Sequence, residues 1–164
     1  MSLVAKCIVW TKYWTGYLTI DLRVCCDVSE TLAVDAVLSG ENVTAAEAAV
    51  VGAWPGMLEA RRDRGDTQRE LAELRDILQG RLGKNVEIST ARKSRSIETL
   101  FVCRSLPGLQ RLVEACVTDR LQASLELIYT QLAGRPVTIR QLQYSQQDYH
   151  TCLNYFNTLA GKSL

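Results

Sequence analysis

The chain has 164 residues, 47% hydrophobic and 23% charged, which is close to ordinary globular usage and far from a disordered composition. Nineteen Lys and Arg against eighteen Asp and Glu leave a formal net charge of +1. That balance argues against a dedicated nucleic-acid binder, whose affinity comes mostly from neutralised phosphates. No apolar run approaches the ~20 residues of a membrane span. Lys12, Asp21 and Arg23 interrupt any apolar core of a signal peptide, so a cytoplasmic location is expected.

Residues 5–10 and 17–26 read as strands. In the second, Leu18, Ile20, Leu22 and Val24 alternate with Thr19, Asp21, Arg23 and Cys25, the period of a half-buried strand. Residues 29–58 are Ala-rich and read as a helical insertion. Thr44 and Glu47 have capping-box spacing there, and Trp54-Pro55-Gly56 supplies a break. After the charged turn Arg61-Arg62-Asp63-Arg64-Gly65, a helix from Thr67 to Leu82 carries a stripe of Leu71, Leu74, Leu78 and Leu82. Asp66 or Thr67 can cap it, Thr67 with Glu70 gives a second capping box, and Gly83 ends it.

Residues 86–90 and 97–103 read as strands joined around Ala91-Arg92-Lys93-Ser94-Arg95-Ser96. Pro107 opens a helical stretch whose inner face holds Leu109, Leu112, Val113, Cys116 and Val117. Thr118-Asp119 breaks and recaps it, and Leu121, Leu125, Ile128 and Leu132 continue the stripe to Gly134. Residues 137–144 form a further strand. Ser145 and Asp148, spaced as a capping box, start a last helix with Tyr149, Cys152, Leu153 and Phe156. The order is that of a split βαββαβ (ferredoxin-like) α+β domain. Its sheet is antiparallel or mixed, with four or more strands, helices on one face and extra helices. A single domain over 1–164 is expected, with its core in 17–26 plus 66–159.

The catalytic inventory is thin. Six cysteines include no CxxC, and with His150 as the only histidine no Cys/His zinc pattern can be assembled, so neither metal nor cofactor is expected. Cys103, Cys116 and Cys152 sit among apolar residues as small hydrophobes, and the vicinal Cys25-Cys26 is the only close pair. His150 and Cys152 lie two residues apart, roughly 200° around a helix, and cannot form a contacting dyad. No catalytic residue is assigned, and the chain reads as a non-enzyme.

Two clusters invite contact with another molecule. Trp10, Tyr13, Trp14 and Tyr17, at the presumed sheet edge, supply large aromatic area that serves a core or a protein interface equally well. An edge strand beside them offers pairing to a partner's strand. Arg92, Lys93 and Arg95 form the one concentrated basic loop, which can grip phosphates or an acidic surface, or simply stay solvated.

From Leu71 to Phe156 the residues resemble the N-terminal domain of the death-receptor adaptor TRADD and related modules of animal NACHT and immune-signalling proteins. The matching stretch runs through the Leu-striped helix, the hairpin over 86–103 ending Leu100-Phe101-Val102-Cys103-Arg104, and Leu109-Gln110-Arg111-Leu112-Val113-Glu114. It continues through the interruption at Thr118-Asp119-Arg120-Leu121, then Val137-Thr138-Ile139-Arg140 and Asp148-Tyr149-His150-Thr151-Cys152. The resemblance implies a non-enzymatic adaptor module, an α–β sandwich docking another signalling protein such as a TRAF domain, or a second copy. It carries no docking residue onto a position of this chain. A ferredoxin-like nucleic-acid or phosphate-binding domain using Arg92, Lys93 and Arg95 is the alternative expectation.

Overall fold

The structure, a computed structural model, describes residues 29–161. The strands expected over 5–10 and 17–26, the aromatic cluster Trp10, Tyr13, Trp14 and Tyr17, and Cys7, Cys25 and Cys26 lie outside the described residues. In chain order the elements are β1 (Glu30–Ser39), α1 (Val43–Glu59), α2 (Asp66–Leu82), β2 (Val86–Lys93), β3 (Ile97–Cys103), α3 (Leu106–Val117), α4 (Arg120–Ala133), β4 (Thr138–Tyr144) and α5 (Gln146–Gly161). The class is α+β. The four described strands form one sheet in the order β2-β3-β1-β4, antiparallel at every pairing.

The largest correction concerns residues 30–39, expected to be helical. They form β1, with β3 on one side and β4 on the other. Leu32, Val34, Ala36 and Leu38 are buried on one face, and Ala33 is buried on the other. A strand flanked on both edges satisfies its backbone through its neighbours, so pairing overrides the helix preference of its alanines and leucines. Cross-strand neighbours Leu32–Phe101, Val34–Thr99 and Ala36–Ile97 bring like-sided residues together.

Local signals were also rewritten at helix ends. α1 starts after Asn42, which sits in the left-handed region without a side-chain cap, so Thr44 lies inside the helix rather than capping it. Pro55 does not break α1, which runs through it to Glu59. Beyond that end, Arg75 donates to the carbonyls of Leu58 and Ala60, at 3.2 and 2.6 Å. α2 follows Gly65 at φ 111°, with Asp66 already in its first turn, so neither Asp66 nor Thr67 caps it. Ser105 does cap α3, accepting from the Gly108 amide at 3.1 Å. Asp119, left-handed at φ 63°, separates α3 from α4 without capping the second helix.

Gly108 is where the first turn of α3 meets the loop before β2. A Cβ there would lie 2.9 Å from the Asn85 carbonyl oxygen, so only glycine fits without a backbone shift.

The buried residues of α1 to α5 join those of the sheet in one core that includes Trp54, Leu78, Phe101, Leu112, Leu125, Tyr129 and Cys152. Val37, Leu100 and Val102, on the opposite side of the sheet, stay half-buried and outside that core. The helices thus cover one face.

Helix side chains also finish the sheet's margins. On α4, Gln122, Glu126 and Thr130 share a stripe at four-residue spacing. Gln122 donates to the Ile139 carbonyl (3.1 Å), Glu126 accepts the Ile139 amide (2.9 Å), and Thr130 accepts the Val137 amide (3.1 Å). At the other margin, Gln79 donates to the Val86 carbonyl (2.7 Å) and the Trp54 indole donates to the Ser89 carbonyl (2.8 Å). Where β4 stops short of the first half of β1, α5 takes over. Asp148 accepts the Ala33 amide at 3.0 Å, and Ser145 donates its own amide to the Ala33 carbonyl at 2.8 Å. Asp148 thereby serves β1 rather than closing the expected capping box, of which only the Ser145 half forms, at 3.2 Å.

Candidate functional site

The basic loop is smaller than its sequence suggests. β2 runs to Lys93, so Arg92 and Lys93 lie in the strand, opposite Glu98 and Ile97. Only Ser94-Arg95-Ser96 make the turn, closed by the Ser94 amide on the Ser96 carbonyl at 2.9 Å. Arg92 is committed to an ion pair with Glu98. Of the three cations expected to act together, Lys93 and Arg95 keep exposed side chains without a carboxylate partner among the described residues.

Glu98 faces a second acid. Asp35 lies directly across from it in the β1–β3 register. Burial, and then the Glu98 charge, push the Asp35 carboxyl above its ordinary value, partly offset by the Ser96 hydroxyl and by Arg92. A carboxyl with a raised folded pKa binds its proton more tightly in the folded chain than in the unfolded one. Its contribution is therefore present in acid and is lost as pH rises through the raised value. Asp35→Asn should raise stability at neutral pH by a few tenths to ~1 kcal/mol, the scale of opposed like charges across strands. It should also flatten the decline that sets in as pH rises above the ordinary carboxyl value of 3.8. Urea melts at stepped pH check both.

The described cysteines lie in the core. Cys103, Cys116 and Cys152 are free and buried, and burial foremost pushes each thiol up to about 12. The Cys152 thiol sits 3.6 Å from the Thr31 carbonyl. His150 is exposed on α5, its ring 5.7 Å from that of Tyr149. Among the described residues no group of three His, Cys, Asp or Glu is placed to hold a metal ion. No helix of the described residues is long and apolar enough to cross a membrane.

Sequence reasoning missed a groove of about 470 Å³ where the end of α2, one face of α3 and the start of α4 converge. Arg81, Arg111 and Arg120 line it with Gln110 and Glu114. Arg111 is held across α2's C-terminus, its Nε donating to the Arg81 carbonyl at 3.3 Å. The ion pairs of the described arginines involve Arg62, Arg69, Arg75, Arg92 and Arg104, and none of the three in the groove. The same three helices carry the exposed large hydrophobics Val117 (65% exposed), Leu127 (46%) and Ile77 (43%). No sequence signal joins these positions: Arg81 and Arg111 are thirty residues apart and meet only through packing.

No protein-family model and no curated protein matches the chain.

Proposed function

We propose that this chain is a non-enzymatic protein-interaction module, of the adaptor type found in cytosolic immune and death-receptor signalling. The observation that carries the reading is the exposure of Ile77, Val117 and Leu127 on the three helices that border one groove. Large aliphatic side chains left in water beside a concave polar surface are what a docking face requires. The thiols, pushed up to about 12 by burial, support a structural rather than a chemical role for the described cysteines.

The resemblance to the TRADD N-terminal domain gives the reading its signalling context, with a TRAF-like protein or a second copy as partner. A ferredoxin-like split βαββαβ path belongs to the same proposal. It is supported by the sheet order, with β1 between β3 and β4, and by the helix pairs α1–α2 and α3–α4 as its two crossovers. Strand addition by a partner is the weaker docking mode. Gln79 and Trp54 at β2, and Gln122 and Glu126 at β4, already hold backbone groups that an added strand would need. The phosphate-gripping alternative loses one of its cations to the Arg92–Glu98 pair.

The test compares the full chain with two double variants, Ile77→Asp with Leu127→Asp and Trp14→Ala with Tyr17→Ala, in quantitative affinity capture from cell extract. A specific partner lost with the helix-face variant, at an unchanged thermal midpoint, is the expected result. A capture profile identical across all three proteins overturns the helical docking face. Partner loss confined to the Trp14/Tyr17 variant moves the contact to the aromatic segment.

A further inference from the structure

We infer that the α2–α3–α4 groove receives an acidic amphipathic segment of a partner protein; this rests on the docking reading above and names the chemistry of its ligand. Three guanidinium groups against one carboxylate line the groove, and none of the three has an acidic partner among the described residues. Elsewhere Arg62 pairs with Asp76, Arg92 with Glu98 and Arg104 with Glu87, whereas Arg61, Arg64 and Arg95 are exposed without an ion pair among the described residues. What sets the groove apart is that three such charges from three helices line one concave surface, in a chain whose net charge is only +1. Planar guanidinium forks bind carboxylates in pairs of parallel hydrogen bonds, which favours Asp and Glu side chains as the complement.

Helical spacing supplies the apolar half of the argument. Ile77 lies one turn before Arg81, Val117 one turn after Glu114, and Leu127 two turns after Arg120, each on the same face as its groove-lining neighbour. Arg81, Glu114 and Arg120 are thus each continued by an exposed aliphatic residue. A small anion would use the arginines and leave Ile77, Val117 and Leu127 in water. A peptide helix with carboxylates on one flank and aliphatic residues on the other engages both sets, and a groove of about 470 Å³ has room for several side chains.

A phage-displayed library of random 16-residue peptides, selected on the immobilised full chain, tests this. Arg81→Gln with Arg120→Gln serves as one counter-target and Ile77→Asp with Leu127→Asp as the other. Arg111 is left intact because it caps α2. The expected outcome is enrichment of peptides with Asp or Glu and with Leu, Ile or Phe at three- and four-residue spacing. Their affinity should fall at least tenfold on either counter-target, and should fall further between 50 and 300 mM salt. Peptides without acidic bias, bound equally by the Gln variant but lost on the Asp variant, overturn this inference while leaving the docking face standing. No enrichment on any target, with inorganic pyrophosphate shifting amide resonances around Arg81 and Arg120, makes the groove a small-anion site and overturns both. No enrichment and no pyrophosphate shift overturns both as well.

Discussion

Trp54→Ala should cost about 3–5 kcal/mol of stability, the range for removing a buried indole from a packed core. Trp54 is fully buried on α1, and its ring meets that of Tyr129 edge to face at 6.3 Å. Its indole nitrogen also donates to the Ser89 carbonyl at 2.8 Å. That carbonyl lies where the β2–β3 register slips between Ile88 and Ala91, a place where the strand ladder is irregular and a side-chain donor is needed. The alanine variant therefore loses packing volume and strands an acceptor together. Trp54→Phe separates the two effects, keeping most of the ring while removing the donor, and should cost about 1–2 kcal/mol. Urea melts report both as a lower midpoint at an unchanged slope. A Trp54→Ala loss below ~1 kcal/mol would mean that α1 does not pack on β2 as described.

Alkylation of the described cysteines should be about a thousandfold slower in the folded chain than in urea. The thiolate is the reactive form, and thiols raised from 9.0 to about 12 carry roughly a thousandth of the thiolate of a free one at the same pH. Burial adds steric protection to the same three sites. Site-resolved mass spectrometry after timed iodoacetamide treatment at pH 8 distinguishes Cys103, Cys116 and Cys152 from one another. Rapid labelling of any one without denaturant would show that its part of the core opens readily. Because the shift favours the protonated thiol, the rates should keep climbing past pH 9 instead of levelling there.

Much of the second half of the chain was legible because its elements sit half-buried, and the sequence alternates accordingly. Ile97, Thr99, Phe101 and Cys103 face the core, and Leu71, Leu74, Leu78 and Leu82 mark α2. β1 hid for the opposite reason. Flanked by strands on both edges, it buries Ala33 on one face and Leu32, Val34, Ala36 and Leu38 on the other, so its alternation blurs into an Ala-rich apolar run. Helix starts depart from the capping signals where a left-handed Asn42 or Asp119, or a positive-φ Gly65, stands in place of a side-chain cap. Neighbouring Ser, Thr and Asp residues advertise a cap that the backbone does not use. The arginine groove left no trace in the sequence, because its three cations come from three helices and converge only after packing.

The stripe of Gln122, Glu126 and Thr130 has a further effect. A ladder terminated by side chains of its own molecule is finite, whereas one terminated by water invites another molecule to extend it. Fibrillar growth from the native state would first have to peel α4 away from Ile139, and α1 and α2 away from Val86 and Ser89. The described sheet should therefore not template cross-β growth until those helices detach.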